Sequence, residues 1–349
     1  ADTKQASEQH PVTLPRAARV NTGNVVLPEY DAVIMIEDVW EADGAYTIRK
    51  SASPWQHVRP AGEDLAESEM VMPSRHRIRP HETGGLATYG ITEVEVITVR
   101  IGLVPTGSEL VAAGTRPKPG QVVESNTLMA KAMLEEVGAT CTRYPFVEDT
   151  PEKIRDAIKN ACSENDIVIV SAGSSAGTKD YTADVIAGLG EVLVHGIATK
   201  PGKPAIIGRV DKKPVIGLPG YPLSALTVLR ELVLPMLKSY GLPVPAYRIL
   251  KAQVTTALAK EIGSDEFIAC TLGKVGGRWV ISPQSKGAGV QMSAIRSNAY
   301  IRLPRDSEGF NAGDIGDARL LVPEEEAENA LLITGSHDPV IDYLADLLR

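Results

Sequence analysis

The spacing of apolar residues changes period several times along this chain, and each change predicts a different kind of structure. Residues 1–20 show no apolar period and read as solvated loop. From 20 to 68, short apolar runs such as Ala32–Ile36 are broken by Pro, Gly and Asp, which predicts β-structure. Residues 69–97, with Pro73, Pro80 and the Gly84-Gly85 pair, read as a connector.

From 98 to 245 the period alternates between two and 3.6. Val99–Val104 predicts a strand, Thr127–Val137 a helix closed by Gly138, and Cys141–Val147 another strand. Thr150 suits a helix N-cap with Pro151 at the first helical position, and apolar residues 154, 157, 158, 161 and 162 then share one face. Ile167–Val170 is an unbroken β-branched run, as in a strand covered on both sides. A helix follows Asp180, and strands follow near 191–195, 205–210 and 214–218. A last helix starts at Pro222 and bends or ends at Pro235. The order predicts an α/β unit with a mostly parallel sheet and right-handed crossovers.

Residues 246–323 return to short strands with Gly and Pro turns, which predicts a small β-barrel or sandwich. Leu331–Thr334 reads as a strand. The helix from Pro339 carries Val340, Ile341, Leu344, Leu347 and Leu348 on a face that needs a partner. The expected organisation is an elongated multidomain chain with an α/β centre and flanking β-rich units. These are a β-rich segment over 1–68, a connector over 69–97, an α/β unit over 98–245, a β-barrel-like unit over 246–323, and the start of a truncated unit over 324–349.

Charge and cysteine usage narrow function more than fold. The formal net charge is −8. Sequence-independent binding to nucleic acid needs a basic face, so no nucleic-acid partner is expected. No stretch approaches the roughly 20 apolar residues of a membrane span. The opening residues lack the apolar core of a signal peptide. No membrane partner and a cytoplasmic location are therefore expected. Cys141, Cys162 and Cys270 make no C-x-x-C pair and read as buried free thiols. The histidines have no metal-ligand spacing. Ser336-His337-Asp338 is not a hydrolase triad, because adjacent residues cannot reach one another in that geometry.

Ligands of open α/β sheets bind beyond the carboxyl ends of the strands, so the chemistry is sought there. After the first strand comes Thr106-Gly107-Ser108-Glu109, where Gly107 admits a close backbone approach and Glu109 can hold a cation or water. After the buried strand comes a small-residue loop with Ser174, Ser175 and Gly177, suited to phosphate, ending at Asp180, a candidate Mg2+ ligand. Lys200-Pro201-Gly202-Lys203-Pro204 places two lysines on a stiffened loop. Pro219 and Pro222 fix an unusual path between a strand and a helix. Together these loops describe a site for an anion and a divalent metal.

At these loops the chain resembles the MoeA family, the molybdenum insertases of molybdenum-cofactor biosynthesis. The resemblance covers about residues 20–323. It rests on Asn21-Thr22-Gly23, Asp31–Asp38, Val58–Asp64, Thr106–Val111, Ser125-Asn126, Ser171–Tyr181, Lys200–Pro204 and Gly217–Pro222, in order and spacing. It implies an elongated homodimer that takes adenylylated molybdopterin and molybdate and, with Mg2+, joins molybdenum to the pterin. On that resemblance Glu109 and Asp180 are catalytic and metal-holding. Thr106, Gly107, Ser174, Ser175, Gly177, Pro219 and Pro222 bind substrate. Lys200, Lys203 and Ser293 bind molybdate, and Thr22 and Asp64 reach the partner subunit's site.

The chain departs from the family pattern at several points. Ser108 stands where an aspartate is usual, and Glu124 replaces the acid of an Asp-x-Asn motif. Ala172 and Ser174 replace a glycine and an apolar residue, and Tyr221 replaces an asparagine. Ile268 and Ala269 follow Glu266-Phe267 where an arginine commonly stands. The family's N-terminal portion with its Asp-Gly-Tyr motif is not found. These departures leave a second expectation, a catalytically impaired module that binds or senses pterin or molybdate. Ile333–Asp338 resembles the start of a periplasmic-binding-protein-like domain fused to some family members, which implies a fragment of a longer protein.

Overall fold

The computed structural model describes residues 3–171, 181–333 and 338–347. The chain divides into two compact units, Ala1–Glu93 and Val94–Arg349. The first contains an antiparallel sheet of β1 (Val12–Leu14), β2 (Val39–Ala42) and β3 (Ala45–Ile48), in the order β1-β3-β2. Asp43 and Gly44, both at positive φ, turn the β2–β3 hairpin. Ile48 at its end is fully buried.

Two sequence expectations fail in this unit. The supposed opening loop supplies β1, which pairs Val12 with Ile48; three residues are too few to show a period. Ala32–Ile36 forms no strand beyond the helical turn at Ile36–Asp38. Met35 and Ile36 are exposed, and the Val33 N–H donates to the Gln56 carbonyl instead of to a ladder. The connector contains a helix, α1 (Pro80–Thr88), which runs through Gly84-Gly85. The Arg79 backbone N–H at its start donates to the Glu82 carboxylate.

The second unit opens with β4 (Arg100–Pro105), followed by a small parallel pair, β5 (Leu110–Val111) and β6 (Val122–Val123). Then come α2 (Asn126–Glu136), β7 (Thr140–Arg143), α3 (Pro151–Glu164), β8 (Ile167–Ser171), α4 (Tyr181–Leu189), β9 (Glu191–His195), β10 (Thr199–Lys200), β11 (Ile206–Val210), β12 (Lys213–Leu218), α5 (Pro222–Val228) and α6 (Leu234–Ser239). The main sheet runs β7-β4-β8-β12-β11-β9. β7, β4, β8 and β12 are parallel, whereas β11 and β9 are antiparallel to their neighbours. The turn at Asp211-Lys212, both at positive φ, is too short for a parallel crossover. Strand β7 stops at Arg143 rather than 147, and Val147 keeps only an isolated bridge to Thr106.

Strand β8 shows why the sheet is covered on both faces. Ile167 and Ile169 join one core with Leu103, Leu134 and Leu229. Val168 and Val170 join the other with Val104, Ile158 and Ile186. Each such side chain contributes about 1.5–3 kcal/mol by leaving water. The bend expected at Pro235 is a π-helical turn, Leu229–Val233, between α5 and α6. Pro235 has no N–H to complete the regular ladder.

The remaining strands are β13 (Ile249–Val254), β14 (Leu258–Ala259), β15 (Asp265–Val275) and β16 (Arg278–Pro283), then α7 (Gln291–Ile295), β17 (Ala299–Leu303), β18 (Gly309–Phe310) and β19 (Ile315–Leu320). The order β15-β16-β13-β19-β17 closes into a barrel because β17 pairs back onto β15. Ile268, Cys270, Ile281 and Ile301 fill it. Helix α8 (Glu324–Glu328) adds Ala327 to the same core. Residues 331–333 form no strand, and Thr334 lies outside the described residues. Helix α9 (Pro339–Leu347) exposes Val340, Tyr343 and Leu347. The three cysteines are buried free thiols, pushed up by that burial to about 12, 11 and 12 for Cys141, Cys162 and Cys270.

Candidate functional site

Three of the expected loops leave the sheet at one edge. Strand register places Pro105 beside Ser171 and Ser171 beside Leu218, so the loops after β4, β8 and β12 start side by side. Thr106 is buried there and its hydroxyl donates to the Ser171 carbonyl at 3.1 Å. Gly107 has φ +147°, and a Cβ at that position would lie 2.9 Å from both carboxylate oxygens of Glu109. The Glu109 side chain therefore folds over a backbone surface that only glycine offers. Ser174, Ser175, Gly177 and Asp180 lie outside the described residues.

Behind this edge, Asn126 locks the loop that carries Pro219. Its Nδ2 donates to the carbonyls of Gly220 at 2.8 Å and Pro219 at 3.4 Å. Its Oδ1 is buried with no hydrogen-bond donor among the described residues. Glu124, the acid that replaces the aspartate of the Asp-x-Asn motif, is buried and committed to structure. It accepts from the backbone N–H and hydroxyl of Thr127 and pairs with Arg143 at 3.0 Å. Pro222 is the first residue of α5, where its missing N–H costs nothing.

The lysine loop is seated from two sides. Gly202, at φ +116°, packs so tightly on α5 that a Cβ would lie 3.3 Å from Val228 Cγ2. On the other side β10 pairs in parallel with β15, Lys200 opposite Glu266. The barrel also reaches the α/β layer through its own loop. The Leu223 N–H donates to the Ala288 carbonyl at 3.1 Å, and Gln291 Nε2 donates to Ser125 Oγ at 3.2 Å.

Between these contacts lies a cleft of about 270 Å3, walled by Lys200, Pro201, Leu223, Phe267, Ser285 and Lys286 among others. Lys286 pairs with Glu266 at 3.1 Å, while among the described residues Lys200 pairs with Glu261 alone, itself 89% exposed, at 3.5 Å. The cleft wall is thus largely apolar, with Glu266 neutralised by Lys286 and the Lys200 ammonium only loosely paired, which suits a compact anion.

Two expected molybdate ligands are placed differently. Lys203 is exposed and does not line the cleft. Ser293 is buried, and its hydroxyl donates to the Ser285 carbonyl at 2.9 Å, so it shapes the wall rather than forming it. Lys286 was missed by the sequence reading. Its signal is Lys286-Gly287-Ala288-Gly289, a second basic residue on a small-residue turn. In the first unit Thr22 and Asp64 are exposed. Asp64 accepts from the Tyr89 hydroxyl and pairs with Arg59, and the Tyr89 bond holds its carboxyl below the usual range. Among the described residues no group of three His, Cys, Asp or Glu side chains could hold a metal.

A mostly parallel α/β layer joined to a closed barrel across a lysine-bearing cleft defines a multidomain protein of α/β and β-barrel parts. Residues 102–239 match the "Probable molybdopterin binding domain". Residues 1–90 match the "MoeA N-terminal region (domain I and II)" and 251–321 the "MoeA C-terminal region (domain IV)". The chain is 30% identical to a molybdopterin molybdenumtransferase of Staphylococcus epidermidis, over 91% of this chain and 77% of that protein. It is 31% identical to one of Haemophilus influenzae, over 85% of this chain and 75% of that protein. The crystal structure of the molybdopterin biosynthesis MoeA protein from Pyrococcus horikosii superposes with a TM-score of 0.74 at 30% identity, covering 92% of this chain and 84% of that one. The chain belongs to the MoeA family.

Proposed function

We infer that this protein is a molybdopterin molybdenumtransferase that inserts molybdate into adenylylated molybdopterin. The observation that carries the reading is the cleft between the Lys200–Pro204 loop and β15, where the Lys286–Glu266 pair leaves Lys200 as the loosely paired charge on a largely apolar wall. Family membership supplies the reaction class, since the named relatives are transferases. Those names favour the enzyme over the receptor alternative.

In this reading the Thr106–Glu109 and Pro219–Pro222 loops hold the pterin phosphate, and Ser174, Ser175 and Gly177 contribute to binding it. Lys200 takes the oxyanion charge, with Lys203 adding only a weak field from outside the wall, while Ser293 fixes the Ser285 wall. Mg2+ keeps several waters and needs only one or two protein carboxylates beside phosphate oxygens. Glu109, folded over Gly107, fits such a donor set, with Asp180 as the second acid. The ion, when bound, would offset phosphate charge and acidify a water. Glu109 and Asp180 would orient that water toward the adenylate bond. Thr22 and Asp64 would serve the partner subunit's site in a homodimer, and the protein would work in the cytoplasm.

The test is AMP release from adenylylated molybdopterin on adding molybdate, with and without Mg2+. Molybdate-dependent release supports the reading. Tight pterin binding with no release under any metal condition would refute it.

A further inference from the structure

A second, smaller cavity adjoins the cleft. It shares Pro201, Leu223, Phe267 and Ala269 with the larger one, and its own wall carries Arg230, Glu231 and Tyr300. Its volume is about 40 Å3. One water needs roughly 10–15 Å3 on that measure, so there is room for an ion with a few oxygens.

Arg230 is half-buried, and among the described residues no carboxylate pairs with it. The two nearby acids are already engaged. Glu231 accepts from the Tyr300 hydroxyl at 2.9 Å and from Arg319 at 3.2 Å. Glu266 is held by Lys286. The guanidinium lies instead over the Tyr300 ring, 5.4 Å from its centroid, with Arg319 5.6 Å from the same ring. A cation–π contact of this kind steadies the group without using its N–H donors. Ala269, in the same cavity wall, presents only a methyl group, so its side chain does not compete for the space. Arg230 also lies in the π-helical turn Leu229–Val233, an irregularity found often at functional sites. A half-buried guanidinium without a carboxylate partner among the described residues, beside an open pocket, is costly unless an anion completes it.

We propose that Arg230 is the inner oxyanion-holding residue of this cleft, gripping one edge of a tetrahedral oxyanion whose outer side faces Lys200. The oxyanion is either free, as in molybdate, or the phosphate of an ester. The inference rests on the transferase reading for the identity of the ligand, and on geometry alone for the site.

The test is calorimetric titration of the whole chain with sodium molybdate and, separately, with AMP as a phosphate monoester. Arg230→Ala should weaken one of the two by about tenfold or more, as loss of a charged hydrogen-bond donor does. Weakening of molybdate identifies the free oxyanion as occupant, and weakening of AMP identifies the ester. Arg230→Lys should recover part of the loss. The double variant Arg230→Ala with Ala269→Arg, which returns a guanidinium from another position in the same wall, should recover most of it. Should Arg230→Ala fold poorly, Arg230→Met carries the same comparison with the stem retained. Unchanged binding of both anions in a folded variant overturns the proposal. If Arg230 variants lose anion binding but the unaltered protein releases no AMP from adenylylated molybdopterin, the site stands and the transferase reading falls. If Arg230→Ala turns over normally with an unchanged KM for molybdate, and binds both anions normally, the reverse holds.

Discussion

Lys200 sits directly opposite Glu266 in a two-residue parallel ladder that ties the α/β layer to the barrel. The ladder orients the lysine through backbone hydrogen bonds, so the side chain faces the cleft without needing a strong ion pair. Lys200→Ala is expected to raise the KM for molybdate about tenfold or more while leaving the melting temperature nearly unchanged. Lys203→Ala, off the wall, is expected to change it by less than about threefold. Steady-state assays of AMP release over a molybdate series check both, and equal effects would contradict the placement.

Asn126 carries the Pro219–Gly220 loop on its Nδ2 from a buried position. Asn126→Ala is expected to cost about 1–2 kcal/mol of stability, since two carbonyls lose their donor. Urea denaturation measures it. The loop would also lose its fixed path, so pterin affinity should fall beyond the stability effect; a variant that binds normally would disprove the loop's role.

Gly107→Ala should separate fold from site. The added Cβ would collide with the Glu109 carboxylate, and φ +147° is strained for alanine by about 1–3 kcal/mol. The expected result is a folded protein with a shifted Mg2+ dependence. A metal titration of AMP release indistinguishable from the unaltered protein would place the cation elsewhere.

Acid stability should depend on Asp166. It pairs with Arg100 at 3.1 Å and accepts that residue's backbone N–H at 2.8 Å. The hydrogen bond from Arg100 holds its carboxyl below the usual carboxylate range. A depressed folded pKa gives stability that is present above the unfolded value and is lost as pH falls through the folded one. Asp166→Asn should therefore lower the melting temperature at pH 7, and the difference should close below about pH 4. Calorimetric scans across that range check the sign, and a gap independent of pH would argue against the pair.

Much of the α/β unit was legible because period and burial agree there. Ile167–Val170 could only be a strand covered on both faces, and Thr150-Pro151 could only start a helix. The loops at the strand ends were legible for the same reason, since each follows a recognisable strand. The first unit was less so. Ala32–Ile36 has the composition of a strand but no ladder partner, and β1 has a partner but almost no composition. Pairing is a property of two segments, and no single stretch records it.

The sequence by itself determined the core-facing residues, the small-residue loops and the family pattern, because each depends on local spacing. Tertiary structure decided which of those groups share a wall. Lys200 reaches the cleft through a two-residue strand paired 66 positions away, at Glu266, while Lys203 does not. Ser293 turns inward to hold Ser285, and Glu124 is consumed by Thr127 and Arg143. Arg230 is left facing a cavity because the acids near it bond elsewhere. Charge and residue type are written locally, but whether a charged group is already paired depends on long-range packing, and that packing selects the residues left free for a ligand.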